Sequence, residues 1–226
     1  MHIAEGFLPP VHAAAWTAAA APFVIHGAKA VIDVARKSPE NKLLLAAAGA
    51  FTAVLSAIKL PSVTGSSSHP TGTGMGAILF KPPVMAFMGT LVLLFQAILL
   101  AHGGITTLGA NAFAFAIVGP WVAYGTWRGL EKLGTPQWLS IFVAIALANL
   151  AIYSTTSLQL ALAHPDPTTG FTGALVKFLG IFAITQVPLS IIEGLVAVLV
   201  LRQLFRFVQR DAMHPGTFIQ KEAAHV

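Results

Sequence analysis

Two short segments of the sequence carry groups that bind transition metals well. The chain begins Met1-His2, and the segment PSVTGSSSHPTGTG, residues 61–74, contains His69. The Met1 amine, the deprotonated His2 amide nitrogen and His2 Nδ1 can close two fused chelate rings around one ion. With His69 as a fourth nitrogen, the site becomes near square-planar, a geometry that suits Ni(II), Cu(II) and low-spin Co(II) better than Zn(II) or Mg(II).

Each of these histidines also has a simpler interpretation. A histidine at position 2 is commonly a solvated terminal residue, and His69 can hydrogen-bond the carbonyl groups of its own loop. The first apolar run is preceded by neither a basic segment nor a clear cleavage site, so we expect Met1 to be the mature N-terminus. Because the chelate requires loss of protons from the amine and the amide, we expect metal affinity to rise with pH.

Several oxygen-bearing side chains near the two segments are candidates to orient the imidazoles. In metal sites, groups outside the ligand set fix the ring orientation and tautomer of the ligating histidines. The candidates are Glu5, Thr64, Ser66, Ser68 and Thr71. For Glu5, a simple turn contact is an equally good interpretation.

The composition indicates an integral membrane protein. Of the 226 residues, 56% are hydrophobic and 9% are charged, whereas soluble proteins have about 25% charged residues. The apolar stretches are expected to be helices in contact with lipid, because a helix satisfies its own backbone hydrogen bonds. The net charge of +5 is attributed to membrane orientation. Nucleic-acid binding is not expected, because the sequence lacks a dense basic run with interleaved aromatic residues.

The apolar stretches predict an all-α, polytopic membrane helical bundle with about seven transmembrane segments. These are residues 10–34, 43–58, 70–80, 83–101, 106–127, 136–162 and 172–205. The third is too short to cross as an ordinary helix, so we expect a broken or tilted segment inside the protein. The distribution of Lys and Arg favours an N-terminus outside and a cytoplasmic C-terminus. We expect one transmembrane domain over residues 1–212 and a polar cytoplasmic tail over residues 213–226.

Other polar residues are assigned structural roles. Glu193 lies within the last apolar segment, where a carboxylate is costly, and is interpreted as a hydrogen-bonded group rather than a metal relay. Four further histidines are interpreted as structural: His12 and His26 on the first helix, and His102 and His164 in outer turns. The alternating glycines of residues 71–76 favour close helix packing. The alanine-rich residues 13–21 and 46–53 serve either packing within the bundle or docking of a partner.

The N-terminal MHIAEGFLPP together with PSVTGSSSHPTGTGMGAILF resembles the CbiM family over nearly the whole chain. CbiM proteins are the substrate-specific membrane components of energy-coupling-factor cobalt transporters, and the nickel-specific NikM proteins are close relatives. The resemblance implies an N-terminus inserted into the bundle and a metal held by Met1, His2 and His69. Many relatives carry a cleaved leader, and many have cysteine where this chain has Ser67.

The resemblance also implies the function and the partners. Co(II) is the expected transported substrate, with Ni(II) as the alternative, and no catalytic cofactor is expected. The implied partners are a CbiN-type small membrane subunit, a CbiQ-type coupling subunit and a CbiO-type ATPase, in a bacterial or archaeal cytoplasmic membrane. The sequence contains no GxxxxGK[ST] motif, which agrees with ATP hydrolysis in a separate subunit.

Two other classes of function involve metal ions in a membrane. An intramembrane metalloenzyme is disfavoured, because the sequence lacks HExxH and has no carboxylate beside His69 to act as a base. A self-sufficient channel or secondary carrier for metal ions remains an alternative. Transport by the isolated chain would favour that alternative, whereas metal binding without turnover would favour a capture subunit.

Overall fold

The fold is described from a computed structural model, over residues 2–58, 60–61 and 66–210. Met1, Thr64 and residues 211–226 lie outside the described residues, as does the predicted tail. The assignment of residues 1–212 to one domain therefore stays a prediction. The side chain of Ser66 is also outside the description, although its backbone belongs to a strand.

The described chain folds into a helical bundle, which confirms the predicted fold class. The helices are α1 (Pro10–Lys37), α2 (Pro39–Ala57), α3 (Thr73–Phe80), α4 (Pro82–Leu100), α5 (Leu108–Ala112), α6 (Gly119–Lys132), α7 (Gln137–Ala163) and α8 (Gly170–Arg210). A π-helical stretch, Phe113–Val118, joins α5 to α6 and makes one continuous segment of the three. Each of the seven predicted segments thus corresponds to a helix or to this composite segment.

Within the described residues, five segments are long and apolar enough to cross a membrane. They are α1, α4, the composite segment Leu108–Lys132, α7, and α8 over Gly170–Arg206. The polar start of α2, Pro-Glu-Asn-Lys, lowers its hydropathy, and α3 has only 8 residues. The short third segment was predicted, and its burial shows how it is accommodated, because most of α3 is enclosed by other helices.

Small residues let α3 pack closely inside the bundle. A side chain at Gly74 would lie 2.8 Å from the Ile145 side chain, and one at Gly76 would clash with Met85 Sδ. This close approach confirms the packing role predicted for the alternating glycines. The core around α3 includes Met75 together with side chains from α6, α7 and α8, among them Trp127, Ile145 and Leu201.

A small sheet, absent from the sequence-based description, accompanies the helices. Its strands are β1 (His2–Ile3), β2 (Leu60–Pro61) and β3 (Ser66–Ser68), in the order β1-β3-β2 with antiparallel pairing. In β1, His2 lies opposite Ser67 and Ile3 lies opposite Ser66. The pairing has a physical reason, because extended backbone buried in a membrane protein must find hydrogen-bond partners.

Candidate metal centre

The N-terminal strand β1 is buried in the bundle. Ile3 is completely buried and packs with Leu8, Leu160 and Phe182. Asn111 Oδ1 accepts a hydrogen bond from the Ile3 N–H at 2.7 Å, and Asn111 Nδ2 donates to the Ile3 carbonyl at 3.0 Å. Thr107 Oγ1 donates to the same carbonyl at 2.9 Å. His2, one residue earlier, is thereby held inside the protein with 1% of its surface exposed.

A second set of contacts, here called the N-terminal clasp, joins Glu5 and Gly6 to residues 103–106. The Glu5 N–H donates to the Gly103 carbonyl at 3.1 Å, and the Gly6 N–H donates to Thr106 Oγ1 at 3.2 Å. The hydroxyl and the backbone N–H of Thr106 donate to the Glu5 carboxylate. These hydrogen bonds, led by that of the Thr106 hydroxyl, lower the pKa of the Glu5 carboxyl below 4.5.

His69 directly follows β3, lies four residues before the start of α3, and is completely buried. Its Nδ1 atom lies 2.8 Å from the carbonyl oxygen of Pro70. A carbonyl can only accept, so Nδ1 carries the proton and Nε2 presents its lone pair. This lone pair is directed at the His2 ring, because His69 Nε2 and His2 Nδ1 are 3.2 Å apart.

Gln96 determines which nitrogen of His2 carries the proton. Gln96 Nε2 donates to Ser56 Oγ, whose hydroxyl in turn donates to the Thr52 carbonyl. The remaining amide atom, Oε1, lies 2.9 Å from His2 Nε2 and accepts from it. In the neutral ring of His2, Nδ1 is therefore the nitrogen without a proton.

When both rings are neutral, two imidazole lone pairs face each other across 3.2 Å in a buried setting. Neutral nitrogens in this arrangement repel each other unless a cation is bound beside them. Two nitrogens held at right angles around one ion, with bonds of about 2.0–2.1 Å, lie roughly 2.9 Å apart. The donor set and its spacing therefore fit a transition-metal ion.

A third imidazole completes the cluster. His102 is 2% exposed, and within the described residues His2, His69 and His102 form a group whose ligand atoms all lie within 4.8 Å of one another. The ring centroid of His102 lies 4.6 Å from that of His2 and 5.0 Å from that of His69. Phe115, in the π-helical stretch, packs edge-on against His2 with a centroid distance of 5.1 Å.

Helix α8 holds the chain on both sides of His69. Gln186 Nε2 donates to Ser68 Oγ at 2.7 Å, and Ser68 Oγ lies 2.9 Å from Thr185 Oγ1. On the other side, Glu193 accepts hydrogen bonds from the Thr71 hydroxyl at 2.6 Å and from the Gly72 N–H at 2.8 Å.

Asn149 of α7 also donates to the Glu193 carboxylate, at 2.8 Å. The buried carboxylate therefore has three donors. This confirms the interpretation of Glu193 as a hydrogen-bonded group and shows that the group positions the His69 loop.

Three of the predicted outer groups have described side chains, and their hydrogen bonds go to groups other than the imidazoles. The hydrogen bonds of Ser68 and Thr71 go to α8, and those of Glu5 go to the clasp. For Ser68 and Thr71, the reason is that α8 presents polar side chains beside the loop. Among the histidines assigned structural roles, His26 is exposed, and His164 Nε2 donates to the Phe7 carbonyl at 2.7 Å.

The outer-turn location predicted for His102 was wrong, because the structure buries this residue beside His2 and His69. Gln96 and Asn111 were also missed. A signal for both was available, since an amide side chain within an apolar membrane segment is costly and commonly functional. His102 had a weaker signal, a histidine next to a Gly-Gly turn that follows an apolar segment.

Comparison with known proteins agrees with a metal-transport function for this bundle. The family profile described as "Cobalt uptake substrate-specific transmembrane region", CbiM, matches residues 2–210. A cobalt transport protein CbiM of Propionibacterium freudenreichii is 66% identical over 206 residues, which cover 91% of this chain and 88% of that protein. A cobalt transport protein CbiM of Streptomyces coelicolor is 58% identical over 221 residues. This alignment covers 98% of this chain and 95% of that protein.

Solved structures share the architecture. A crystal structure of a transition metal transporter superimposes with a TM-score of 0.82 at 26% identity, covering 95% of this chain and 96% of that one. A truncated transition metal transporter gives a TM-score of 0.80 at 27% identity, with coverage of 92% and 99%.

Proposed function

The chain belongs to the CbiM family of cobalt uptake transmembrane components, and we propose that it captures Co(II) through the Met1 amine, the His2 amide and imidazole, and His69. It acts as the substrate-binding subunit of an energy-coupling-factor transporter. The ion is its cargo, and ATP is hydrolysed by a partner. Ni(II) is the alternative cargo for the same ligand set.

The observation that carries this proposal is the apposition of two unprotonated nitrogens, His2 Nδ1 and His69 Nε2, at 3.2 Å. In the fused-ring chelate, the amine and Nδ1 flank the His2 amide nitrogen. The position left for His69 is therefore next to Nδ1 in the metal plane. A neighbouring pair in such a plane is separated by roughly 2.9 Å, close to the distance already present.

Burial supports the use of neutral nitrogen ligands. His2 and His69 are both inside the bundle, where a protonated imidazole would lack solvation. Met1 is joined by one peptide bond to His2, which begins a strand that Asn111 and Thr107 hold in place, and this supports its amine as a proposed ligand. Because the amine and the amide must lose protons, affinity should increase with pH.

The transport cycle requires the site to face both sides of the membrane in turn. We place the N-terminus outside, so capture occurs from the outer side of a bacterial or archaeal cytoplasmic membrane. The C-terminal end of α8 carries Arg202 and Arg206, which supports a cytoplasmic position. Movement of α8 relative to β1 would separate His69 from His2, because α8 is bonded to the chain on both sides of His69.

Family membership and the lack of a GxxxxGK[ST] motif in the sequence support the proposed partners. A CbiO-type ATPase supplies the energy, a CbiQ-type subunit transmits the movement, and a CbiN-type subunit assists at the membrane. Nucleotide-independent transport by the isolated chain would contradict this assignment in favour of a channel or carrier.

The ligand set is tested by equilibrium binding of Co(II) and Ni(II), followed by absorption spectroscopy, on four forms of the purified protein. These are the native chain, a chain with one residue added before Met1, His69→Ala, and His26→Ala as a control on the exposed surface of α1. We expect the added residue and His69→Ala to abolish tight binding, and His26→Ala to leave it unchanged. Native affinity after blocking of the amine refutes the chelate.

A further inference from the structure

The third imidazole of the cluster has no part in the ligand set described above. His102 lies at the end of α4, and its ring faces both His2 and His69, with interplanar angles of 73° to each. Its burial matches that of the other two rings. Three buried imidazoles from three distant parts of the chain thus converge on one point.

The backbone around His102 is in an unusual conformation. Ala101 has φ 46° and Gly103 has φ 75°, so left-handed residues precede and follow the histidine. Alanine in this region costs roughly 1–2 kcal/mol, and such strain persists only where the surrounding structure requires it. The His102 N–H donates to the Gln96 carbonyl at 3.1 Å, which ties the turn to the residue that also bonds His2.

A site made only of four nitrogens in a plane does not account for selection of Co(II) over Ni(II), and the His102 ring offers a further ligand. A plane of four nitrogens favours Ni(II) and Cu(II), and the Irving-Williams order points the same way. Square-planar Ni(II) gains little from a further ligand. Low-spin Co(II) has an unpaired electron in the orbital perpendicular to the plane and readily takes a donor there. A site for Co(II) therefore benefits from an axial nitrogen.

We propose that His102 is a fifth, axial nitrogen ligand and that it raises the preference of the site for Co(II) over Ni(II). This inference rests on the proposed function, which supplies the four nitrogens of the plane. The ligand atoms of the three histidines lie within 4.8 Å of one another. An axial nitrogen lies at right angles to the nitrogens of the plane and therefore about 2.9 Å from each of them, so binding draws His102 inward by up to about 2 Å.

The direct test is electron paramagnetic resonance of the Co(II)-loaded chain. In low-spin Co(II), the unpaired electron couples to an axial nitrogen, and each cobalt line becomes a triplet for ¹⁴N and a doublet for ¹⁵N. We expect the native chain to show the triplet, and histidine labelled with ¹⁵N in the ring to convert it to a doublet. A native spectrum without splitting from histidine nitrogen, whether low-spin or high-spin, overturns the inference.

The second measurement is competition between Co(II) and Ni(II) in His102→Gln, with His26→Gln as the matched control. We expect the ratio of Co(II) to Ni(II) affinity to fall about tenfold in His102→Gln, with loss of the axial splitting. His26→Gln should keep the native affinity ratio and the native axial splitting. Equal weakening for the two metals indicates a purely structural role and also overturns the inference.

Failure of this inference is distinguishable from failure of the proposed function. If blocking Met1 and His69→Ala abolish binding but no axial histidine nitrogen is detected, the four-nitrogen site stands and the role of His102 is refuted. If an axial histidine nitrogen is detected while binding survives the blocked amine, the chelate is refuted instead. The native spectrum decides the first point even where His102→Gln does not fold.

Discussion

Asn111 binds both main-chain polar groups of Ile3, accepting from its N–H at 2.7 Å and donating to its carbonyl at 3.0 Å. One side chain thereby replaces a strand partner for the residue after His2. The carbonyl has a further donor in Thr107, whereas Asn111 is the side-chain acceptor for the N–H. The insertion of the N-terminus thus depends strongly on this one carboxamide.

We expect Asn111→Leu to weaken metal binding by releasing β1. A buried N–H left without an acceptor costs about 1–3 kcal/mol, which corresponds to a loss of apparent Ni(II) affinity of up to roughly a hundredfold. Asn41→Leu is the matched control, because Asn41 is equally buried but bonds Val34 at the junction of α1 and α2. Asn41→Leu should lower the melting temperature and leave the Ni(II) affinity unchanged. Equal affinities in the two variants would contradict the role of Asn111.

Gln96→Leu should weaken metal binding without displacing the N-terminal strand. The substitution removes the acceptor for His2 Nε2–H, so Nδ1 is no longer held as the unprotonated nitrogen. Loss of such a supporting contact typically reduces affinity by about 10–100-fold. Ser56→Ala leaves the contact between Gln96 and His2 in place and removes only the support behind it, so its effect should be smaller. Calorimetric titration with Ni(II) measures the affinity of both variants. An unchanged affinity in Gln96→Leu would rule out control of the His2 tautomer by Gln96.

The fold and the candidate ligands His2 and His69 could be predicted from the sequence because they depend on local properties. The residue type and position of His2, second in the chain, and of His69, in a loop of small residues, indicate metal binding. The length of each apolar segment predicts a helix. The partners of Ser68 and Thr71 could not be predicted, because they lie 117 to 122 residues away on α8. The inward direction of His102 depends on the left-handed backbone at Ala101, which alanine does not signal.

Glu193 variants should separate charge from hydrogen bonding in the support of the His69 loop. In Glu193→Leu, Thr71, Gly72 and Asn149 lose their shared acceptor, and each unsatisfied donor costs about 1–3 kcal/mol. Glu193→Gln keeps an acceptor for the loop. Its new amide group can donate to Asn149 Oδ1, which has no hydrogen-bond partner among the described residues, once the Asn149 carboxamide rotates.

We therefore expect a large fall in melting temperature and in Ni(II) affinity for Glu193→Leu, and a smaller fall for Glu193→Gln. Thermal unfolding in detergent and metal titration provide the two measurements. Equal losses in both variants would show that the negative charge, rather than the hydrogen bonds, is what the loop requires.

The clasp predicts a pH dependence of stability. The pKa of the Glu5 carboxyl is lowered below 4.5 by the Thr106 hydrogen bonds, so the ionised form stabilises the fold. This contribution is present above pH 4.5 and is lost as the pH falls through the lowered value. We expect metal-free native protein to melt at a higher temperature than Glu5→Gln at neutral pH, and the difference to disappear only under more acidic conditions. A difference that vanishes well above pH 4.5 would contradict the assignment.

Gly104→Ala should displace the N-terminal strand by steric contact alone. A β-carbon at Gly104 would lie 2.5 Å from Glu5 Cα, which is backbone and cannot rotate away. The clasp must then open, and β1, which precedes it in the chain, loses its anchor. We therefore expect a loss of Ni(II) binding and increased cleavage of the N-terminal segment by protease. Gly129→Ala in α6 is the control, because no atom lies within 4 Å of its added carbon and alanine stabilises a helix by about 0.5–1 kcal/mol. Tight Ni(II) binding in Gly104→Ala would show that the cluster forms without the clasp.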